Sequence, residues 1–377
     1  MPRGDNQDRG FRHVSYVNLA AQFTEERDAL LSVFNSVFEN GIFVNEKALE
    51  PLESELAEQC GRVHAVGVNS GTDALVLGLR ALGVGPGDEV ITPPNSFIAS
   101  AAAIVAVGAK PVFADVLHDQ NIDPAAVEVA ITERTKAVMP VHLTGRICNM
   151  ERITEIAERN GLLIIEDAAQ SMGSRFAEQP AGSFGAVGCF SAHPMKNFNA
   201  AGDAGFVVTD DEVLAARIKL LRNNGLVDRD TAVEWGVVSR MDVFQSELLR
   251  FRLKRLRSIV ERRRHNATLY RKFLDGAPVI IPPDRECEFN TYHTFVIQVS
   301  RRSDLQNHLK QKGIISAVHY PTPIHLQPAA SELGYKEGDF PVAESQSKRI
   351  LSLPIHQFLD EVDIEYVAGH IKAFYGE

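Results

Sequence analysis

The chain has 377 residues, with 39 Lys+Arg against 49 Asp+Glu, a net charge of -10 and 45% hydrophobic residues. That length suits two domains and a sizeable core, and the acidic balance excludes a general electrostatic grip on nucleic acid, which wants a basic face. No apolar run approaches the roughly 18–20 residues that span a bilayer, and the polar start, MPRGDNQDRGFRH, lacks the apolar segment of a secretory signal.

Residues 1–15 read as a loose arm. From Leu30 to Cys60 the spacing predicts two amphipathic helices, broken at the Asn40-Gly41 turn. A rhythm follows. Short apolar runs at Ala65–Val68, Val90–Thr92, Pro111–Ala114, Ala137–Val141, Leu162–Ile165, Gly188–Ser191 and Gly205–Thr209 predict strands. Between them, helices are expected at Asp73–Leu82, Phe97–Val107, Pro124–Ile131 and Met150–Asn160, with another at Glu212–Leu221. Continuous apolar strands separated by helices predict an α/β fold with a mostly parallel sheet covered on both faces. The last two strands follow each other closely enough to suggest an antiparallel pair. From Gln245 to Phe273 the chain turns Arg- and Leu-rich and reads as one long, solvated helix linking to a second domain. Beyond Pro278 come a strand at Thr294–Val299, a helix at Arg302–Lys312, a short strand at Ile314–His319 and a closing helix at Glu361–Tyr375. These readings divide the chain into the arm (1–15), a large domain (16–245), a linking helix (246–275) and a small C-terminal domain (276–377). Cys60, Cys148, Cys189 and Cys287 are scattered without a CxxC pair. That argues against a zinc site or disulfide framework and for a reducing cytoplasm.

Three segments could carry chemistry. At Val68-Asn69-Ser70-Gly71-Thr72-Asp73 a strand ends and a helix starts, so free backbone amides and the helix dipole suit a phosphate; Ser70 or Thr72 acting only as a helix cap is the plainer alternative. At Ile164-Ile165-Glu166-Asp167 a strand delivers two carboxylates to its C-terminal end, where open α/β sheets place ligands. Alternation aims only one of the two at the crevice. In Gly188–Asn197, Lys196 sits among small and apolar residues, where desolvation would lower its pKa and make it a nucleophilic amine. Alone, it would pass for a surface lysine, and His193 beside it for a packing residue. Jointly, a phosphate cradle, a strand-end carboxylate and a desolvated lysine are what pyridoxal 5′-phosphate requires: the lysine forms the Schiff base and the carboxylate keeps the pyridine nitrogen protonated.

The segments GVNSGTDALVLGLRALGVGPGDEVITPPNSFIAS, IIEDAAQSMGS, AGSFGAVGCFSAHPMKNFNAAGDAGFVVTDD and SRMDVFQSELL, closing with VHYPTPIHLQPA and GDFPVAESQSKRILSLPI, resemble the DegT/DnrJ/EryC1/StrS sugar aminotransferases. The likeness runs from about Tyr16 nearly to the C-terminus. It implies the PLP-dependent transferase fold of type I, aspartate aminotransferase-like, with a large α/β domain and a small C-terminal α/β domain. By the resemblance, Lys196 carries the cofactor, Asp167 faces the pyridinium nitrogen and Gln170 lies near the phenolic oxygen. Gly71, Thr72 and Ser191 match the phosphate-binding positions, and Phe97 the aromatic stacked on the ring. His319 and Tyr320 fall in the loop lining the substrate side, with His193 and Arg240 as further substrate contacts. Two departures stand out: Val238 occupies the place of an asparagine in the family's Gly-x-Asn-Ser-Arg segment, and Gly41-Ile42-Phe43-Val44-Asn45-Glu46 replaces a Gly-Pro segment.

The resemblance further implies a cytoplasmic homodimer with shared active sites. The expected reaction is ping-pong amination of a keto-sugar, nucleotide-linked, with L-glutamate as donor and pyridoxamine 5′-phosphate as the intermediate cofactor form. Surface-polysaccharide or natural-product sugar biosynthesis is the expected setting. Members that dehydrate the sugar carry histidine where Lys196 stands. A transaminase for a keto-octulosonate or inosose, and a catalytically silent PLP-binding regulator, are the alternatives. A nicotinamide dehydrogenase is poorly supported, because no GxGxxG follows the first strand.

Overall fold

A computed structural model describes residues 12–376. In chain order the elements of the first half are α1 (Leu19–Asn40), α2 (Glu46–Gln59), β1 (His64–Val68), α3 (Gly71–Ala81), β2 (Glu89–Thr92), α4 (Ala99–Ala106), β3 (Lys110–Phe113), α5 (Pro124–Ala130), β4 (Thr135–Val138), α6 (Met150–Asn160) and β5 (Leu163–Asp167). Then follow β6 (Arg175–Phe176), β7 (Gln179–Pro180), β8 (Val187–Ser191), β9 (Gly205–Thr209), α7 (Glu212–Leu221), α8 (Val243–Leu253) and α9 (Leu256–Phe273). The C-terminal part adds β10 (Val279–Ile280), β11 (Glu288–Phe289), β12 (Phe295–Val299), α10 (Arg302–Gln311), α11 (Pro341–Arg349), β13 (Ile350–Leu353) and α12 (Glu361–Tyr375).

The main sheet has the order β1-β9-β8-β5-β4-β2-β3. Its β3, β2, β4, β5 and β8 run parallel, while β9 is antiparallel to both β8 and β1. One apolar cluster (Ile91, Val138, Phe190, Phe206) packs on one face and another (Leu75, Leu79, Ile104, Val187) on the other, as strands buried on both sides require. A separate core of Ile297, Leu305, Leu351 and Ile364 serves the β10-β12-β13 sheet. Polar caps delimit the helices. Asn18 and Asn45 accept amides at the starts of α1 and α2, and Gly41 ends α1 at φ 64°, where a side chain would be strained. No helix among the described residues is long and apolar enough to cross a membrane.

Three local expectations differ from the structure. The Arg-rich stretch is two helices, α8 and α9, and it is not merely solvated. Arg252 turns inward to Glu26 at 2.8 Å and to the Asn199 carbonyl at 2.7 Å; α8 ends at Leu253, and the buried Leu256 opens α9. Residues 314–319 form no strand. Only isolated bridges, Val14 to Ile314 and Ala317 to Ser352, occupy them, while Ile350–Leu353 supplies the edge of the small sheet. Of the expected arm, residues 1–11 lie outside the described residues; Arg12 pairs with Asp360 and Asp363, and Val14 is 2% exposed in the C-terminal core.

Candidate active site

The carboxyl ends of β1, β2, β5 and β8 converge on one cavity of about 430 Å³. Gly71, Thr72, Phe97, Asp167, Gln170, Ser191, His193, Lys196, His319 and Tyr320 all line it, so ten of the eleven site residues expected from sequence meet there, Arg240 being the exception; Ser70 lines it too. Ser70 accepts the Asp73 amide at 3.1 Å and, through its carbonyl, the Ala74 amide at 3.0 Å. The plainer alternative therefore holds for Ser70: it caps α3. The Gly71 and Thr72 amides find no partner among the described residues and remain free at the positive end of the helix. Gly71 is glycine for want of room: a Cβ there would lie 2.5 Å from Ser191 Cβ. The first turn of α3 thus rests directly on the end of β8, and the Ser191 hydroxyl stands beside the two free amides.

The adjacent carboxylates separate as alternation requires. Glu166 is fully buried on the far side, where it accepts the Phe184 and Gly185 amides at 2.7 Å, the Gly182 amide at 2.7 Å and His142 Nε2 at 2.9 Å. Asp167 faces the cavity. Its Oδ2 accepts the Ser100 hydroxyl at 2.7 Å, and its Oδ1 the Ala169 amide at 3.2 Å. Ser96 Oγ stands 2.8 Å from Ser100 Oγ, so a short hydroxyl chain from the start of α4, next to Phe97, fixes the carboxylate rotamer. Sequence reasoning missed Ser100.

Lys196 occupies the connection between β8 and β9. Its backbone closes a turn on the His193 carbonyl at 2.8 Å; Asn197 and Asn199 tie the flanking chain to the Thr291 and Pro194 carbonyls. Burial pulls the amine down to about 8, against a smaller opposing pull from Asp167. Gln170 accepts the Thr144 amide at 2.8 Å and approaches the Tyr320 hydroxyl, whose ring lies 5.9 Å from that of Phe97. His319 stacks on Tyr16 and bonds Ser352 at 2.9 Å; burial and then Lys196 lower its pKa to about 4, so it is neutral at physiological pH. His293, also unforeseen, lines the cavity, and burial holds it well below the usual histidine range. His193 lines the cavity too, accepting the Met195 amide at Nδ1 and donating its own to Ser191 Oγ. Arg240 does not line the cavity of its own chain. It bonds Asn223 at 3.2 Å and forms no ion pair with Asp242 or any other described residue.

These residues fit pyridoxal 5′-phosphate. A cradle that a single Cβ would fill suits its phosphate, a hydrogen-bonded carboxylate at the opposite side suits its ring nitrogen, and a desolvated amine suits its aldehyde.

A family model described as the DegT/DnrJ/EryC1/StrS aminotransferase family matches residues 24–372. The chain is 42% identical, over 92% of each sequence, to dTDP-3-amino-3,4,6-trideoxy-alpha-D-glucose transaminase of Streptomyces venezuelae. It is 38% identical, over 96% of this chain and 99% of the relative, to a Geobacillus stearothermophilus protein named a pleiotropic regulatory protein. The crystal structure of S. venezuelae DesV in complex with a ketimine intermediate superposes with a TM-score of 0.94 at 40% identity, covering 97% of this chain and 99% of that one. NtdA of Bacillus subtilis with bound cofactor PMP superposes at 0.90 and 30% identity, covering 98% and 87%. With the family model spanning nearly the whole length and the fold preserved throughout, this chain belongs to the DegT/DnrJ/EryC1/StrS aminotransferase family of PLP-dependent enzymes.

Proposed function

We propose that this aminotransferase converts a nucleotide-linked keto-sugar to the amino sugar, with L-glutamate as amino donor, in the cytoplasm, within surface-polysaccharide or natural-product sugar biosynthesis. The observation that carries the reading is the desolvated Lys196 amine in the same cavity as the free Gly71 and Thr72 amides and the Asp167 carboxylate. Names of relatives that act on nucleotide-linked sugars support the substrate class. The bound cofactor supplies the electron sink that makes the C–H bond beside the amine acidic. Lys196 Nζ takes that proton and returns it to the neighbouring position. Gly71, Thr72 and Ser191 hold the phosphate, and Asp167, oriented by Ser100, keeps a proton on the ring nitrogen. Phe97 covers the ring and excludes water. Gln170 lies toward the phenolic oxygen, and His193, His319 and Tyr320 line the substrate side. Residues 16–245 serve as the cofactor domain and 276–377 as the small domain, linked by α8 and α9.

A second copy of the chain completes the enzyme in this reading. Phe23, Phe34, Phe38, Ile42 and Phe43 stand 43–53% exposed along and after α1, and Trp235 and Val238 stand 91% and 61% exposed near Arg240. Exposed apolar side chains of this size, with Phe34, Phe38 and Phe43 in ring contact, suit an interface. The unpaired Arg240 guanidinium then reaches a phosphate or carboxylate in the partner's cavity, since its fork can bond two oxygens at once. Mixing Lys196→Ala and Arg240→Ala chains should restore activity that neither homodimer shows; a monomer in solution, or no recovery on mixing, refutes the shared site. For the reaction, purified protein is given L-glutamate and a panel of keto-sugars with and without nucleotide, and released 2-oxoglutarate is counted. Turnover confined to nucleotide-linked ketones is expected. Turnover only with free sugars, or with none, overturns the reading.

A further inference from the structure

Among the described residues, four arginines are more than nine-tenths buried: Arg146, Arg222, Arg252 and Arg263. Three are matched by carboxylates. Arg146 holds Glu288 at 2.7 Å and Asp284 at 3.0 Å, Arg222 holds Glu53 at 2.6 Å, and Arg252 holds Glu26 at 2.8 Å. Arg263, on the inner face of α9, holds none among the described residues. Its Nη1 donates to the carbonyl oxygens of Tyr292 at 3.1 Å and His293 at 3.3 Å, and its Nε is buried without a partner. Taking an ion out of water costs several kcal/mol unless an opposite charge answers it, and neutral carbonyls answer only part. Desolvation is visible in the group itself, which burial draws down to about 10.

The location says which anion would answer it. Arg263 lines two recesses beside the main cavity. One, about 20 Å³, it shares with Met195, Lys196 and Gln357; the other, about 40 Å³, with Tyr16, Met195, His293 and His319. Met195, Lys196, His293 and His319 also line the main cavity, so Arg263 stands behind the wall that carries the reactive amine. Neither recess has an acidic side chain in its lining. His293 Nδ1, in the lining of the second recess, is another buried nitrogen without a partner; the unpartnered acceptors Asn197 Oδ1 and Gln357 Oε1 line the first. A diphosphate is too bulky for spaces of this size, whereas a carboxylate is planar and matches the guanidinium fork. Of the reactants, only the amino donor must bring a carboxylate next to the atom that reacts at Lys196.

We propose that Arg263 binds the α-carboxylate of the amino donor, seating it in the recess beside Lys196. This rests on the aminotransferase reading but on no particular donor. Two probes test it on the PLP-loaded enzyme by calorimetry and cofactor absorbance: 2-methyl-L-glutamate, which has the α-carboxylate but no α-hydrogen to lose, and 4-aminobutanoate, which lacks that carboxylate. Wild type should prefer 2-methyl-L-glutamate; Arg263→Gln, which can still donate to the Tyr292 and His293 carbonyls, should weaken it about 10- to 100-fold and erase the preference. Arg263→Lys should recover part of the affinity, while keto-sugar KM stays within about threefold in both variants. On cofactor-free protein, formate should raise the Tm of wild type and of Arg263→Lys but not of Arg263→Gln. Overturning results are 2-methyl-L-glutamate binding equally to wild type and a folded Arg263→Gln, or no preference between the probes in wild type. Formate stabilising all three chains alike would show an adventitious ion only and would also overturn it. Arg263-dependent binding without amination of any keto-sugar supports the carboxylate site and refutes the sugar reading instead.

Discussion

Replacing Gly71 by alanine puts a methyl group where the structure has no room. Its Cβ would stand 2.5 Å from Ser191 Cβ, 3.0 Å from Ser191 Oγ and 3.1 Å from Ser191 Cα. Carbon atoms in contact settle at about 3.5–4.0 Å, so the first turn of α3 and the end of β8 must part by about 1 Å. Ser191 is held by the β8–β9 ladder and Gly71 by the cap of a buried helix, so neither yields freely. Overpacking of this kind costs about 1–3 kcal/mol of stability. The larger effect falls on the phosphate. An amide set for a bond of about 2.9 Å and moved by about 1 Å no longer makes one. A hydrogen bond to a charged group is worth about 1.5–3 kcal/mol, and losing one weakens PLP binding by about 10- to 100-fold. The assay is spectrophotometric titration of cofactor-free protein with PLP, with pyridoxal as control. Pyridoxal, which has no phosphate, should react with both proteins alike. A Gly71→Ala protein that melts at the wild-type temperature and binds PLP as tightly as wild type refutes the cradle.

Lys196 should combine with PLP at a rate that rises with pH to a midpoint near 8. The reactive form is the free amine, and burial favours that form, so the midpoint lies below the ordinary lysine value near 10.4; a midpoint near 10 would show a solvated amine. Borohydride reduction followed by peptide mapping should place the label on Lys196, and label on another lysine sinks the assignment. Asp167→Asn keeps the shape but removes the charge, so turnover should fall by orders of magnitude while PLP remains bound. Ser100→Ala should fall about 10-fold and shift the cofactor's absorbance, with Ser100→Thr restoring both; unchanged spectra in Ser100→Ala would show that its 2.7 Å bond to Asp167 does not set the carboxylate.

That Gly71, Thr72, Asp167 and Lys196 would share one cavity was legible because each part is a local word: a strand end followed by Ser-Gly-Thr, a strand end followed by Glu-Asp, a lysine between two strands. Period-two alternation at Glu166-Asp167 separates their faces, although which one meets the cavity is a tertiary fact. Ser100 was hidden because its partner lies 67 positions away and nothing near it marks a donor. Arg263 was hidden for a different reason. It sits in a run of like charges that reads as a wet surface, yet Leu256, Ile259, Val260, Arg263, Ala267 and Tyr270 are buried at the three- and four-residue spacing of one helical stripe. That spacing was the available signal. The failed strand at residues 314–319 shows the limit of short apolar runs: Val14, 300 positions earlier, takes the bridge that Ile314 would have offered a sheet neighbour.

Gly205 stands opposite Ser191 on one side and Val68 on the other. A Cβ on it would lie 2.4 Å from the Ser70 carbonyl oxygen. The distance between the phosphate turn and the Ser191 hydroxyl is therefore set by the rungs of a backbone ladder, not by adjustable side chains. Although this rung lies at the strand ends, β9 is paired on both edges and parts only by leaving both β8 and β1. The amides around Gly205 should consequently rank among the slowest to exchange with deuterium, with or without cofactor. Where Lys196 carries the cofactor as proposed, its release follows the reversible chemistry at that amine, not a breathing motion of the protein. The emptied chain keeps its grip preformed, ready to be reloaded without refolding.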